Sequence, residues 1–103
     1  MNILKGVLIE EHKRLKKLEN LYKNKLNKLI KGSISLKARR GKLYGYLAYW
    51  ENKKVKFKYL GRPSSNEVQD AQKQLHERKK YLLLLKKAKE DLSQIGKTLN
   101  RST

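Results

Sequence analysis

Residues 32–62 read GSISLKARRGKLYGYLAYWENKKVKFKYLGR, and this stretch decides the fold because its apolar residues recur at every second position. Ile34, Leu36 and Ala38 alternate with polar residues, and the same period returns twice in the rest of the stretch. A period of two is typical of β-strands, whose successive side chains point to opposite faces. The sequence therefore predicts three strands in an antiparallel meander over residues 33–60.

The turns between these strands decide which residues pair. Arg40-Gly41 suits a two-residue hairpin loop, because glycine readily adopts the positive φ that such tight turns need. We interpret residues 51–53 as a three-residue loop, which pairs Tyr49 with Val55. On this register the apolar residues of all three strands share the face that packs on the helices, and the basic residues share the other face.

Long helices are predicted on both sides of the meander. Residues 2–31 carry leucines at helical spacing, and the apolar residues of 65–99 follow the alternating three- and four-residue steps of a coiled coil. Ser64 and Glu67 have the spacing of a capping box, which marks the start of the second helix. The predicted fold class is therefore α+β: long helix, three-stranded antiparallel β-meander, long helix. We expect the helices to form an antiparallel coiled-coil-like hairpin, within a single domain spanning residues 1–103.

The distribution of charge points to a polyanionic partner. The 103 residues include 27 Lys and Arg against 9 Asp and Glu, a formal net charge of +18. Between Lys23 and Arg62 thirteen basic residues accompany a single acid, Glu51. A basic stretch of this kind is the electrostatic footprint of nucleic-acid binding. A polyanion is therefore expected to bind where the sheet is predicted.

On the predicted register, the outer face of the sheet has two basic strands flanking an aromatic one. Lys and Arg can neutralise phosphates there, while the rings stack on bases. Because the basic residues run along straight rows, double-stranded DNA is favoured over structured RNA. The predicted nucleic-acid-binding residues are Lys37, Arg39, Arg40, Lys42, Tyr44, Tyr46, Trp50, Lys54, Lys56 and Lys58.

Other interpretations of the same residues stay open. Exposed lysines also guard sheet edges against pairing, and Tyr and Trp are good strand formers in any protein. One alternative is a phage or mobile-element protein-interaction module that inhibits or regulates a nucleic-acid-handling partner, such as a defence nuclease. Another is a structured-RNA or ribosome-associated protein. A homodimer through the apolar seam of the helices is a further alternative.

Catalysis, cofactors and a membrane location are not expected. The acids are scattered along the helices, and no serine has a neighbouring base that could activate it. The chain has no cysteine, and its two histidines, His12 and His76, lie far apart, so no metal site is predicted. The apolar run at residues 81–85 is far shorter than the roughly 20 residues that span a bilayer. The N-terminus lacks the order of a signal peptide, so a cytoplasmic location is expected.

Three segments also carry a resemblance to known proteins, namely residues 32–36, 44–49 and 54–61. Together they resemble a signature of an uncharacterised family of small basic prokaryotic proteins, a likeness that implies no function. The order of strand, basic strand, glycine and Ser-capped helix is also similar to the arm-type DNA-binding domains of tyrosine recombinases, which lay a three-stranded sheet in the major groove. That likeness implies groove-facing rows made of Arg39, Lys42, Tyr44, Tyr46, Lys54, Lys56 and Lys58. The chain departs from it in its long N-terminal helix and in having no recombinase catalytic domain within its 103 residues.

Overall fold

The structure is a computed structural model that describes residues 3–101. Its elements follow the predicted order, which confirms the α+β class, the meander and the two long helices. Their bounds are α1 Ile3–Asn27, β1 Ser33–Arg39, β2 Lys42–Glu51, β3 Lys54–Gly61 and α2 Asn66–Arg101. The first helix ends at Asn27 rather than at Lys31, because the Lys28 N–H turns back to the Lys25 carbonyl oxygen at 3.2 Å and closes the last turn.

The described residues divide into two compact units. Residues 3–28 and 80–101 form a helical unit, and residues 29–79 form a sheet unit that includes the first part of α2. In the helical unit α1 packs antiparallel to the second half of α2. The Tyr22 and Tyr81 rings meet with their centroids 6.1 Å apart. Leu15, Leu26 and Ala88 are buried, so the leucine spacing predicts this core correctly.

An acidic side chain, Glu19, is buried in the helical unit. Its Oε1 atom accepts a hydrogen bond from Lys16 Nζ at 3.2 Å and lies 4.0 Å from Lys23 Nζ. The hydrogen bond from Lys16, reinforced by the charges of Lys16, Lys23 and Lys89, lowers the pKa of Glu19 although burial acts in the opposite direction. The carboxylate therefore stays ionised at neutral pH, and Lys89 of α2 adds to the positive charge around it.

The start of α2 packs against the middle of one face of the sheet. Val68 is fully buried, and a Cβ atom added to Gly45 would lie 2.7 Å from Val68 Cγ2. Leu47 and Ala71 are buried as well. Val68 therefore packs on the side of β2 that Gly45 and Leu47 share. We call this side of the sheet the inner face and the opposite side the outer face.

The cap of α2 differs by one residue from the prediction. The Val68 N–H donates to Ser65 Oγ at 3.2 Å, so Ser65 and not Ser64 is the N-cap. The Ser65 hydroxyl also donates to the Leu60 carbonyl oxygen at 3.4 Å. This second bond ties the start of the helix to the end of β3, a contact that Ser64 does not make and that the capping-box spacing did not reveal.

The first hairpin has the predicted register. The strand order is β1-β2-β3, and β1 pairs antiparallel with β2. Arg39 pairs with Lys42, and Leu36 pairs with Gly45. Both residues of the loop at 40–41 have positive φ, 51° and 75°. These values are typical of a type I′ turn, whose twist matches that of the strands.

The second hairpin differs from the prediction. Its loop has two residues, Asn52 and Lys53, with φ of 51° and 63°. Val55 therefore pairs with Trp50, whereas the predicted partner of Val55 is Tyr49. The physical reason is again the twist of the strands, which a type I′ turn continues. Asn adopts positive φ more readily than most residues, so it accommodates the first position of the turn.

This one-residue shift moves the side chains of β3 to the faces opposite to those predicted. The basic residues that were predicted on the outer face lie on the inner one: Lys54, Lys56 and Lys58. The residues that were predicted on the inner face lie on the outer one: Val55, Phe57 and Tyr59. A β-bulge between Gly45 and Tyr46 then changes the pairing at the end of the strand. The outer face is therefore more aromatic, and less basic, than the sequence predicted.

Within residues 3–101, no helix combines the length and the apolar content that crossing a bilayer requires. The same part of the chain has no cluster of three or more His, Asp and Glu side chains that could hold a metal ion.

Candidate nucleic-acid interface

Aromatic side chains from two neighbouring strands meet on the outer face. The Tyr59 ring of β3 lies beside two rings of β2, with its centroid 6.2 Å from that of Tyr44 and 5.4 Å from that of Tyr46. The rings are tilted by 53° and 59°, an arrangement that the quadrupoles of aromatic rings favour over a face-to-face sandwich. We call these three residues the tyrosine cluster.

Basic side chains lie over these rings. Lys37 Nζ is 3.6 Å from the centroid of Phe57 and 5.2 Å from that of Tyr46. Because Lys37 is on β1 and Phe57 is on β3, the lysine side chain reaches across the central strand. The guanidinium carbon of Arg62 lies 5.4 Å from the centroid of Tyr44. Such cation–π contacts contribute about 0.5–1 kcal/mol each at exposed sites, and they hold positive charge over the aromatic surface.

An open depression lies on this face, next to the turn between β1 and β2. Its volume is about 440 Å³, and its lining residues are Arg39, Arg40, Tyr44, Tyr46 and Tyr59. All of them are aromatic or basic. Guanidinium groups bind phosphates through paired hydrogen bonds and stack on planar groups, and tyrosine rings stack on bases. The depression therefore combines guanidinium groups that can bind a phosphate with rings that can stack on a base.

Three large side chains of the outer face, one of which lines the depression, are unusually exposed for their size. Trp50 is 69% exposed, Tyr59 54% and Phe57 49%. Large apolar side chains are usually buried, and a contiguous group of them at the surface marks an interaction site more often than single exposed residues do. The exposed rings therefore extend the candidate interface from the depression along β2 and β3.

A family model described as Domain of unknown function (DUF6788) matches residues 8–70. The chain belongs to this family. The matched segment of the DUF6788 domain includes the whole sheet and the buried Val68, so the outer face and the residue that covers the inner face both lie within it. The family description assigns no function. Comparison with the curated proteins and with the solved structures gave no match.

The DUF6788 sheet brings most of the predicted site residues together. Those on the outer face are Lys37, Arg39, Lys42, Tyr44, Tyr46 and Trp50, and Arg40 of the turn lines the depression. The three lysines of β3 lie on the inner face instead. Of these, Lys56 has its Nζ atom 3.6 Å from Glu51 Oε1, and both side chains are about half exposed. The lysines of β3 therefore form a basic row separate from the aromatic surface.

Three residues of the candidate interface were missing from the predicted site: Phe57, Tyr59 and Arg62. The signal that could have found the two aromatic ones is Asn52, which is common in two-residue type I′ turns. With that loop length, alternation alone places Phe57 and Tyr59 on the outer face. Arg62 follows the last strand, so alternation does not predict its position over Tyr44.

Proposed function

We propose that this protein is a non-catalytic nucleic-acid-binding protein that uses the outer face of its sheet. The observation that supports the proposal most strongly is the association of basic groups with exposed rings on one face, with Lys37 Nζ 3.6 Å from the Phe57 ring centroid. Such a surface can neutralise phosphates and stack on bases at once. The net charge of +18 favours encounter with a polyanion.

The register of the second hairpin weakens the case for double-stranded DNA as the ligand of the outer face. A duplex is expected to bind two straight basic rows, one on each side of the aromatic strand. The row of β3 faces the other side of the sheet, so one row remains, with Lys37 and Arg39 of β1. The likeness to recombinase arm-type domains stays a prediction, and on the outer face it involves residues of β1 and β2 alone.

Salt titration of two basic variants tests the proposed face. Log affinity should fall linearly with log salt, and each lost phosphate contact should reduce the slope by roughly 0.7 for a single strand or 0.9 for a duplex. Arg39→Ala removes a basic side chain that lines the depression. We expect it to reduce the slope by the amount that corresponds to one lost phosphate contact. Lys56→Ala is the matched control, since Lys56 is on the inner face beside Glu51 and should leave the slope unchanged. Fluorescence anisotropy with labelled oligonucleotides measures both slopes.

Two results would contradict the proposal. If Lys56→Ala lowers the slope and Arg39→Ala does not, the outer face is not the binding surface. If the unchanged protein shows no affinity for any nucleic acid at physiological salt, nucleic-acid binding itself is wrong. The alternative of a protein-interaction module with an acidic partner would then be tested by co-purification.

A further inference from the structure

We infer that the outer face binds unpaired bases, so that its ligand is a single strand, or a single-stranded region, of DNA or RNA. This inference rests on the proposed function and narrows its substrate class. It depends on where the rings and the basic groups lie relative to each other. The tyrosine cluster and the exposed Trp50 provide stacking surfaces, whereas the arginines lie at the margin of the face.

The geometry of the tyrosine cluster leaves ring surface available. Tyr59 is tilted by 53° against Tyr44 and by 59° against Tyr46, so neither pair is stacked face to face. Tyr59 takes part in both pairs and is still 54% exposed. It is therefore the ring of the cluster on which we expect a base to stack.

A closed duplex cannot use such rings well. In a duplex the faces of each base are covered by the neighbouring base pairs, and a protein meets only base edges and phosphates. Edge recognition needs long polar side chains directed into a groove, but the middle of the outer face is aromatic. Unpaired bases present free faces that stack on aromatic side chains. The exposed rings of Tyr59 and Trp50 therefore favour a single strand.

The positions of the arginines agree with a single strand whose bases lie on the rings. Arg39 and Arg40 lie at the turn between β1 and β2 and line the depression, and Arg62 follows β3 and reaches Tyr44. A strand with its bases on the rings would have its phosphates toward these side chains. The depression, at about 440 Å³, lies within the range of roughly 300–1,000 Å³ typical of small-ligand sites. It is large enough to receive one base.

The spacing of the rings suits successive bases. Along β2 the outer-face rings are Tyr44, Tyr46 and, farther on, Trp50. Neighbours on one face of a strand are about 6.8 Å apart, since each residue advances the strand by about 3.4 Å. That distance is about twice the 3.4 Å step between stacked bases. The spacing along β2 therefore suits bases that are spread apart, as they are in an extended and unpaired strand.

The test uses the full-length chain with four fluorescent probes of one sequence: a 12-nucleotide DNA strand, the same RNA strand, and the two corresponding duplexes. We expect the single strands to bind about 10-fold or more tightly than the duplexes at physiological salt. Tyr59→Leu and Trp50→Leu should each weaken single-strand binding by about 10-fold, the effect of losing one stacked base, and change duplex binding by less than about 2-fold. Tyr59→Phe keeps the ring and should bind like the unchanged protein. Far-UV circular dichroism checks that each variant is folded.

The outcomes separate this inference from the proposed function. If duplexes bind as tightly as single strands and Tyr59→Leu binds like Tyr59→Phe, the inference is wrong, while the proposed function stands. If none of the four probes binds, both are wrong. A preference for single strands that is lost in Tyr59→Leu supports the inference, and comparison of the DNA strand with the RNA strand then identifies the source of the unpaired bases.

Discussion

Gly32→Ala is expected to destabilise the sheet unit by about 3 kcal/mol, combining backbone strain of about 1–3 kcal/mol with an overpacking cost of similar size. The φ of Gly32 is 129°, a region almost closed to residues with a side chain. A Cβ atom there would also overlap the backbone carbonyl oxygen of Ala48. Because Ala48 belongs to the central strand, its carbonyl cannot move without disturbing the sheet.

Urea unfolding followed by circular dichroism measures this effect as a lower midpoint. Gly96→Ala is the matched control, because a Cβ atom at Gly96 would have no neighbour within 4 Å and the residue lies inside α2. The control should stabilise its helix by about 1 kcal/mol, the usual difference between Gly and Ala in a helix. An unchanged midpoint for Gly32→Ala would show that the segment before β1 does not have the described conformation.

Gly45→Ala is the second substitution with a large expected cost, about 2 kcal/mol from overpacking. Its Cβ atom would lie 2.7 Å from Val68 Cγ2 and 3.2 Å from the Gly61 carbonyl oxygen. Val68 is fully buried, so its side chain has little room to move away. The substitution therefore tests directly whether the start of α2 packs on the inner face at Gly45.

A double-mutant cycle isolates the contact between Gly45 and Val68. Val68→Ala alone should cost about 2 kcal/mol through the loss of buried methyl groups. It also removes the methyl group that Gly45→Ala would meet, so we expect the second substitution to cost at least about 1 kcal/mol less in this background. Strictly additive costs in urea unfolding would mean that α2 does not pack on this face. The assignment of the inner face as the side that α2 contacts would then be wrong.

The first hairpin and the two helices could be predicted from the sequence because each has a strong local signal. The glycine of Arg40-Gly41 marks a two-residue turn, and leucines at helical spacing mark the core of α1. The loop at residues 51–53 has a weaker signal, because Asn52 suits a two-residue type I′ turn but Lys53 does not. Its two-residue form needs positive φ at Lys53 as well as at Asn52, and lysine rarely adopts that conformation. Loop chemistry alone therefore favoured the longer loop.

The wrong register of the second hairpin also made part of the predicted site wrong. Residues of β1 and β2 were placed on the correct face, since the first hairpin fixes their side. Phe57 and Tyr59 were assigned to the inner face, and the lysines of β3 took their place on the outer one. The contact between Lys37 and Phe57 depends on the register of all three strands, so alternation within any single strand cannot reveal it.

Photocrosslinking tests most directly whether nucleic acid binds the outer face. The six tyrosines of the chain serve as internal reporters: Tyr44, Tyr46 and Tyr59 on the outer face, Tyr49 on the inner face, and Tyr22 and Tyr81 in the helical unit. An oligonucleotide that contains 5-iodouracil would be irradiated with the full-length protein, and the linked residues located by fragment-ion mass spectrometry. We predict links to Tyr59 and its outer-face neighbours. Links confined to Tyr49, Tyr22 or Tyr81 would contradict the account.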